Sequence, residues 1–297
     1  MNSNLNAQND VEVIVLGSTG QLGSEWIEVL KQKGVHVIGF NSQELDITDF
    51  EKVDRILTEM KPNLLLNCSA YTNVDKAEKE WEKVLLINAH AVGNLAQICA
   101  NNNIKLVHFS TDYVFSGSID DVNTYPNGYS EGDNTAPKAN YAISKYLGEL
   151  YIREKKLDYL IIRVAWLCGK NGTNFVKTML RLAKDRNELS IVNDQFGSPS
   201  FTDNVIENTI ILLSRKAKGT YHISSTGITN WAELAAKTFE LKGLSINVKP
   251  IDSNEWPSPV KRPHFSKLNT EKIEQINGIN LEHWTVGLNR LLNKLTN

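Results

Sequence analysis

The chain of 297 residues has few cysteines and no long apolar run. Cys68, Cys99 and Cys168 stand far apart in apolar stretches, without a CxxC pair or the spacing of metal ligands. This pattern predicts buried free thiols in a reducing cytoplasm and argues against a cysteine metal site. No segment approaches the roughly 18 apolar residues that span a bilayer, so we expect no membrane partner. Residues 1–10 lack the basic and apolar regions of a signal peptide and are expected to be a flexible N-terminus.

Neither sign of charge dominates the composition. The 32 Lys and Arg residues face 34 Asp and Glu residues, which gives a formal net charge of −2. A nucleic-acid binder carries a basic patch, so this balance argues against a nucleic-acid partner. With 41% hydrophobic residues the chain can bury a substantial core, and its length predicts one large domain or two smaller ones.

The N-terminal part contains a glycine-rich turn between an apolar strand and an amphipathic helix. The β-branched run at 13–16 precedes Gly17, Gly20 and Gly23, and residues 24–30 have helical periodicity. Glycine permits a tight turn and a close approach to a pyrophosphate, and the helix N-terminus supplies free N–H groups. A glycine triplet alone is weak evidence, but a doubly wound fold binds its dinucleotide at this first strand.

A tyrosine and a lysine four residues apart form the second signal. Tyr141 and Lys145 lie on one face of a helix. A phenol is poorly ionised at neutral pH, but a neighbouring cation favours the phenolate and lowers the phenol pKa, so the pair can act as a proton donor. Ser110 and Thr111 end an apolar strand, and the ends of such strands meet at the ligand crevice.

Strands alternate with helices over the first half of the chain. The strands are nearly continuous in Val, Ile and Leu, as expected when helices cover both faces of a sheet. The pattern therefore predicts an α/β fold with a Rossmann-type doubly wound parallel sheet. The expected strands are at about 11–16, 35–40, 63–67, 104–110 and 159–165, and the expected helices at about 20–33, 49–60, 80–102 and 138–156.

After Arg163 the pattern becomes irregular. We expect residues 11–165 to form the dinucleotide-binding domain and residues 166–297 to be mainly a smaller C-terminal substrate-binding lobe, partly interleaved with the first. In this part, helices are expected at about 173–187, 202–214, 231–241 and 281–295, and short strands near 190–192, 220–223 and 246–251.

These motifs resemble the extended short-chain dehydrogenase/reductase superfamily, with Thr111, Tyr141 and Lys145 in its catalytic positions. Further segments narrow the resemblance to the dTDP-4-dehydrorhamnose reductase family, from near residue 11 to the C-terminal helix: 67–78, 110–115, 163–166, 174–180, 193–199 and 262–263. The chain departs from the family pattern at three positions, where glycine, aspartate and asparagine are usual: Ala142, Ser116 and Phe265. The last of these falls in the substrate half, so the exact sugar stays open.

The resemblance implies an NAD(P)H-dependent oxidoreductase that reduces the C4 ketone of a nucleotide-linked 6-deoxy-4-keto sugar, foremost dTDP-4-dehydro-L-rhamnose. Tyr141 would give the proton, Lys145 would hold the nicotinamide ribose, and Thr111 would hydrogen-bond the carbonyl oxygen. The implied cofactor-binding residues are Gly17, Thr19, Gly20, Gln21, Leu22, Gly23, Asp46, Ile47, Ser69, Ala70, Tyr71, Tyr141 and Lys145. The implied substrate-binding residues are Thr111, Asp112, Trp166, Asn174 and Arg262.

Some assignments have structural alternatives. Asp46 can lie near the adenine or belong to a helix cap, Trp166 can pack on the sugar or in the core, and Arg262 can bind the diphosphate or remain a surface arginine. The six histidines are scattered and have no carboxylate pattern, so each is expected to be structural. The long loop at 116–137 is expected to face the substrate and to order on binding, with surface disorder as the alternative.

The motifs indicate a nicotinamide dinucleotide more clearly than they indicate whether it is NADPH or NADH. The second strand ends at Gly39-Phe40-Asn41-Ser42-Gln43, without the acidic residue of NAD-selective folds or the basic residue of NADP-selective ones. We expect NADPH, with NADH as a second donor. Family members with a Mg²⁺ at a dimer interface leave a homodimer open here; Glu25, Asn193 and Asp194 form a weak ligand set, and no metal is assigned.

Two other functions compete with the ketoreductase. Related dehydratases and epimerases share the superfamily, but dehydratases follow the threonine with Asp-Glu, and this chain has Tyr113 in place of that glutamate. The regulatory β subunit of methionine adenosyltransferase also resembles this family, and it binds NADP without catalysing a reduction. The intact Thr111, Tyr141 and Lys145 favour catalysis.

Overall fold

The computed structural model describes residues 11–295, so the segment 1–10, expected to be flexible, lies outside the described residues. The strands are β1 (Val13–Leu16), β2 (Val37–Phe40), β3 (Leu64–Asn67), β4 (Lys105–Thr111), β5 (Tyr159–Val164), β6 (Glu188–Val192), β7 (Phe196–Gly197), β8 (Gly219–His222), β9 (Thr229–Asn230) and β10 (Asn247–Ile251). The α-helices are α1 (Gln21–Gln32), α2 (Phe50–Met60), α3 (Val74–Ala77), α4 (Trp81–Leu85), α5 (Ala91–Asn102), α6 (Asp121–Thr124), α7 (Asn140–Arg153), α8 (Phe175–Leu182), α9 (Thr202–Ser214), α10 (Trp231–Leu241), α11 (Glu271–Glu274) and α12 (Trp284–Lys294).

Six strands form one parallel sheet in the order β2-β1-β3-β4-β5-β8. Val13 in β1 lies beside Val37 of β2 on one side and Leu64 of β3 on the other. The strand order reverses at β1, and in such sheets the carboxyl ends of the central strands border a ligand crevice. The predicted α/β fold with a parallel sheet is confirmed. β8 adds a sixth strand beside β5 that the sequence pattern did not assign to this sheet.

Apolar side chains fill both faces of the sheet, because alternate residues of a strand point to opposite sides. Val13 and Val15 pack with Trp26 of α1 and Val205 of α9. On the other face, Ile14 and its neighbours pack against α2, α5 and α7. None of the helices among residues 11–295 combines the length and apolar character that crossing a bilayer requires.

The helix predicted at 80–102 is interrupted by a π turn. α4 and α5 are joined by a π-helical segment at Leu86–His90, which packs against α7. Gly148 of α7 allows the two backbones to come close, since a Cβ there would stand 2.3 Å from the carbonyl oxygen of Asn88. The extra residue of a π turn is invisible to a pattern based on a 3.6-residue period.

The long loop at 116–137 is anchored to the body of the protein. The ring of Tyr129 is almost completely buried and stacks on Phe115 at 4.3 Å. Further along, Glu131 accepts a hydrogen bond from the backbone N–H of His222 in β8. The expectation that this loop orders on binding does not hold for its part around Tyr125 and Tyr129, because these two side chains already belong to a buried cluster.

The elements after β5 form smaller layers beside the sheet. β6 pairs with β10 in parallel, and β7 pairs with β9 antiparallel. Phe201, Trp284 and Leu288 belong to one buried apolar cluster, and Met179 and Phe239 belong to a second. These clusters support α8, α10 and α12. Thr173, before α8, and Trp231, the first residue of α10, reach the crevice.

Candidate active site

A cavity of about 640 Å³ lies at the carboxyl ends of the central strands. It receives side chains from the turn after β1, from the segments after β3 and β5, and from the end of β4. The lining residues are Gly20, Gln21, Leu22, Cys68, Ser69, Ala70, Thr72, Val74, Phe109, Ser110, Thr111, Asp112, Tyr113, Tyr141, Lys145, Val164, Trp166, Leu167, Gly172, Thr173 and Trp231. Most of the predicted site residues thus border one space.

The glycine turn has no room for a larger residue at its first position. Gly17 has a φ of +74°, and a Cβ there would stand 2.9 Å from the backbone nitrogen of Ser69. Gly20 differs, since its φ is −72° and it serves as the N-cap of α1 without a side-chain cap. Because Gly20, Gln21 and Leu22 line the cavity, the first turn of α1 presents its backbone to the space.

Other implied cofactor residues lie outside the lining of this cavity. The carboxylate of Asp46 accepts hydrogen bonds from the backbone N–H and hydroxyl of Thr48, at 2.9 and 2.8 Å. Ile47 is buried in the core on the α2 side of the sheet. Tyr71 donates its hydroxyl to Glu80 at 3.1 Å. Of the remaining residues of this group, Gly17 and Thr19 belong to the turn that carries Gly20, and Gly23 lies in the first turn of α1.

Thr111 and Tyr141 meet at the base of the cavity, one from the end of β4 and one from the first turn of α7. The Thr111 hydroxyl donates to Asp112 Oδ1 at 2.8 Å and accepts from the backbone N–H of Tyr113 at 3.2 Å. The ring of Tyr141 stands edge-on to that of Tyr113, with centroids 5.7 Å apart. Burial raises the pKa of Tyr141, the hydrogen bond with Thr111 opposes this rise, and Asp112 adds to it.

The Lys145 side chain contacts β4. Its Nζ donates to the carbonyl oxygen of Phe109 at 2.7 Å and lies 3.0 Å from His108 Nε2. Burial lowers the pKa of Lys145 to about 8, while Glu149 and Cys68 act in the opposite direction. The expected lowering of the Tyr141 pKa by a neighbouring lysine is therefore wrong for this arrangement. The four-residue spacing brings the two residues to one helix face but does not fix where a long side chain ends.

Two polar atoms in the cavity are buried without a hydrogen-bond partner within the described chain: Asp112 Oδ2 and Ser110 Oγ. Both residues are 4% exposed. Burial raises the pKa of the Asp112 carboxyl to about 7, although its hydrogen bond from Thr111 opposes the rise. Buried polar atoms of native proteins are almost always satisfied, so these two fit a polar ligand that enters the cavity.

Two stacked tryptophans line part of the cavity wall. Trp166 has a φ of +48°, and its ring stacks on Trp231 at 3.8 Å. A non-glycine residue with positive φ is uncommon and marks a constrained position. Sequence reasoning named Trp166 but missed Trp231, because 64 intervening residues separate them and no spacing rule connects them.

The other implied substrate residues lie at the edges of the cavity. Asn174 caps α8 by accepting from the backbone N–H of Lys177 and donates to Gln21 Oε1 at 2.7 Å. Arg262 is ion-paired with Asp75 at 2.7 Å. It lines a second cavity of about 260 Å³ that adjoins the first at Tyr113, with Phe115, Ser116, Gly117, Ser118, Ile119, Lys138, Ala139, Ala142, Lys261, Pro263 and His264.

Sequence reasoning also missed the contacts of two buried polar residues behind the site, Asn88 and His108. Asn88, in the π turn, accepts from the backbone N–H of Tyr71 and donates to Ser144. His108 lies between Asn67 and Lys145. These contacts join residues 17 to 56 positions apart, so no local pattern predicts them.

The residues considered for Mg²⁺ are engaged elsewhere. Glu25 accepts from the hydroxyl of Thr202, and Asp194 accepts from Ser253. Within residues 11–295 there is no group of three or more His, Cys, Asp or Glu residues that could hold a metal ion.

A glycine turn at the strand reversal, with a tyrosine and a lysine of one helix beside a strand-end threonine, is the arrangement expected of the dinucleotide-binding short-chain dehydrogenase/reductase class. Comparison with known proteins narrows this class. Residues 11–297 match the family model described as RmlD substrate binding domain. A dTDP-4-dehydrorhamnose reductase of Escherichia coli (strain K12) is 37% identical, covering 96% of this chain and 98% of that protein.

Two further relatives are similar over nearly the whole chain. The spore coat polysaccharide biosynthesis protein SpsK of Bacillus subtilis (strain 168) is 38% identical over 95% of this chain and 96% of its own. A crystal structure of dTDP-4-dehydrorhamnose reductase from Bacillus anthracis in complex with NADP is 37% identical, with a TM-score of 0.91 over 96% of this chain and 99% of that one. The chain belongs to the dTDP-4-dehydrorhamnose reductase family, and it is an oxidoreductase.

Proposed function

We propose that the protein reduces the C4 ketone of dTDP-4-dehydro-L-rhamnose to give dTDP-L-rhamnose, with NADPH as the preferred donor and NADH as a second one. The observation that carries this proposal is the meeting of Thr111, Tyr141 and Lys145 in one cavity with the glycine turn at Gly20. The similarity to named dTDP-4-dehydrorhamnose reductases supports the choice of sugar.

The cofactor would lie across the turn after β1 and the segment after β3. The first turn of α1 would receive the pyrophosphate, because its backbone N–H groups are not capped by a side chain. Ser69 and Ala70 would border the nicotinamide half, and Lys145 would hold its ribose. Bound NADPH supplies the hydride. The loop after β2 has no acidic side chain at 40–43, which suits a 2′-phosphate.

Tyr141 would give its phenol proton to the alkoxide that forms at C4. Its raised pKa keeps the phenol protonated before the reaction, as a general acid requires. The Thr111 hydroxyl, on the other side of the carbonyl, would exchange its bond to Asp112 for a bond to the sugar oxygen. The unpaired Asp112 Oδ2 would then accept a hydrogen bond from a sugar hydroxyl.

The sugar and its diphosphate would occupy the C-terminal side of the cavity. Trp166 and Trp231 offer apolar faces to the sugar ring. Arg262, with Lys138 and Lys261 in the adjoining cavity, offers positive charge to the diphosphate. Asn174 would act through Gln21, which it holds at the cavity wall. In this reading, residues 11–165 serve the cofactor and residues 166–297 mainly serve the substrate.

The proposal is tested by following NADPH oxidation, at its near-ultraviolet absorbance, with a panel of nucleotide-linked 4-keto sugars. The expected result is the highest kcat/KM with dTDP-4-dehydro-L-rhamnose. A faster reaction with another nucleotide 4-keto sugar would identify a different ketoreductase of the same type. If NADPH binds and no sugar in the panel is reduced, the hypothesis of a non-catalytic, NADP-binding regulatory subunit replaces the hypothesis of a reductase.

A further inference from the structure

His108 is a buried residue that the proposed reaction does not use. It lies in β4 with no exposed surface, between two partners on neighbouring elements. Its Nδ1 is 3.1 Å from Nδ2 of Asn67 in β3, and its Nε2 is 3.0 Å from Nζ of Lys145 in α7. A neutral imidazole has one donor and one acceptor nitrogen, so the two contacts fix which nitrogen carries the proton.

The orientation of the Asn67 side chain determines this choice. Asn67 Oδ1 accepts a hydrogen bond from the backbone N–H of Ser69 at 3.1 Å. The amide nitrogen must therefore face His108, and it has only protons to offer. Nδ1 of His108 consequently accepts, and the ring proton sits on Nε2, where it points at Lys145. Burial, with Lys145 adding to its effect, lowers the pKa of His108 well below its ordinary value, which keeps the ring neutral.

A proton on Nε2 means that His108 offers no acceptor to a Lys145 ammonium. Lys145 Nζ faces the Phe109 carbonyl oxygen, which accepts from it, and His108 Nε2, which donates in this tautomer. A neutral amine satisfies both contacts, whereas an ammonium brings two N–H groups against each other. To protonate Lys145 without that clash, the His108 tautomer and the Asn67 amide must both reverse, and the reversed amide would lose its bond to Ser69.

We propose, building on the reductase function above, that His108 is a positioning residue for Lys145: its Nε2–H, aimed by Asn67 and Ser69, makes Lys145 a titrating group and not a permanent cation. The other titratable groups that act on Lys145 are Cys68, after β3, and Glu149, one turn further along α7. Glu149 is itself bonded to Arg153 and Arg163. The consequence is a site whose charge beside the nicotinamide ribose changes near neutral pH.

Under this proposal, the pH profile of kcat has an alkaline limb, where turnover falls as the pH rises. Lys145 lines the cavity and would hold the nicotinamide ribose, and only its ammonium form brings positive charge there, so turnover falls as the pH rises through the Lys145 ionisation. His108→Gln keeps the length of the ring and can present a carbonyl oxygen to Nζ, which favours the ammonium. In this variant the alkaline limb moves up by about one pH unit, a tenfold change in the ionisation constant. A residue that only packs would lower kcat without moving the limb.

Nuclear magnetic resonance tests the arrangement without any substrate. The ¹⁵N shifts of the His108 ring, assigned by their loss in His108→Gln, distinguish the Nε2–H from the Nδ1–H tautomer, and ¹³Cε shifts of lysine follow the Lys145 titration. We expect Nε2–H well above the Lys145 pKa, a change of the His108 signals in step with Lys145, and a higher Lys145 pKa in His108→Gln. An Nδ1–H tautomer under those conditions, or an unmoved Lys145 pKa in a folded variant, overturns the proposal.

A second variant separates this proposal from a folding defect. Asn67→Asp keeps the acceptor for Ser69 but presents a second acceptor to His108, so the ring proton moves to Nδ1 and Nε2 accepts from Lys145. The expected result is a reversed tautomer and a raised Lys145 pKa, with the native circular dichroism spectrum kept. These readouts do not depend on turnover. If the wild type reduces no keto sugar, the proposed reaction is refuted, but the His108 tautomer is still decided by the NMR measurement. If Asn67→Asp retains the Nε2–H form, the Asn67 link is refuted.

Discussion

Tyr141 is the residue on which the proposed chemistry most depends. Its phenol stays protonated because burial raises its pKa, so it can serve as an acid but not as a resting phenolate. Tyr141→Phe removes the proton and keeps the ring, and we expect kcat to fall at least about 100-fold with NADPH affinity nearly unchanged. Tyr146→Phe, on the same helix but beside a different cavity, is the matched control. Wild-type kcat in Tyr141→Phe would exclude this residue as the acid.

Asp112 is a second single residue with a testable effect, because its buried carboxyl group lowers the stability of the folded protein. Its carboxyl pKa rises in the folded protein from 3.8 to about 7, so folding disfavours its ionised form. The folded state therefore loses stability as the pH rises above 3.8, the ordinary pKa of this carboxyl group. The loss grows until about pH 7 and is then constant. Asp112→Asn should therefore raise the melting temperature at neutral and alkaline pH, but not near pH 4, and should weaken substrate binding.

Thermal unfolding measured across this pH range checks the Asp112 prediction. Asp120→Asn, at an exposed position, removes the same charge and should leave the melting temperature nearly unchanged. Equal effects of the two substitutions at every pH would mean that the Asp112 carboxyl is not held in an unfavourable environment.

At the scale of elements, the turn between β1 and α1 gives a sharp comparison of two glycines. Gly17 and Gly34 both have a φ of +74°, but a Cβ at Gly17 would stand 2.9 Å from the Ser69 backbone, and one at Gly34 would have nothing within 4 Å. Both changes to alanine carry the strain of positive φ, about 1–2 kcal/mol. We expect only Gly17→Ala to weaken NADPH binding, by tenfold or more, as measured by fluorescence titration. Equal affinities in the two variants would contradict the role of this turn.

Elements with a strong local pattern could be predicted, and elements defined by distant contacts could not. Continuous Val, Ile and Leu runs located β1 to β5, because strands buried on both faces need apolar residues at every position. The place of β8 beside β5 depends on pairing across more than 50 residues, which no short pattern encodes. The π turn at 86–90 follows from packing against Gly148, and the loop at 116–137 is fixed by Tyr129.

In the candidate site, too, features with a local sequence signal could be predicted, and features set by distant contacts could not. Glycine spacing, the strand-end Thr111 and the Tyr141/Lys145 pair are local signals, and the structure brings these residues to one cavity. The direction of the Lys145 side chain depends on His108 and Phe109 in a different element, and the stacking of Trp166 depends on Trp231. Sequence therefore indicated which residues carry the chemistry better than it indicated their electrostatic surroundings.

At the scale of the whole molecule, the C-terminal helix is fastened to the body that carries the sheet. Arg290 and Lys294 of α12 bind Asp203 of α9 with N–O distances of 2.7 Å. These bonds lower the pKa of Asp203 to about 2, against the effect of its burial. Because the pKa of Asp203 is lower in the folded protein, its carboxylate stabilises the folded state above pH 3.8. This stabilisation is lost as the pH falls toward about 2.

Arg290→Gln should lower the free energy of unfolding at neutral pH by about 1–3 kcal/mol, because Asp203 and Glu282 lose a charged donor. Urea unfolding at several pH values measures the change. The difference from the wild type should shrink between pH 3.8 and about 2, where Asp203 takes up its proton. Arg186→Gln, at an exposed position, is the control. A loss of stability that stays constant down to the lowest pH would contradict the assignment to Asp203.

The central claim is that this cavity transfers a hydride from the nicotinamide to C4 of a dTDP-linked sugar, and isotope transfer tests it most directly. The protein is incubated with NADPH deuterated at the transferred position and with dTDP-4-dehydro-L-rhamnose, and the product is analysed by mass spectrometry and nuclear magnetic resonance. The account predicts one deuterium, located at C4 of dTDP-L-rhamnose, and almost none with Tyr141→Phe. A product without deuterium, or a sugar that changes while NADPH is not consumed, would contradict the account.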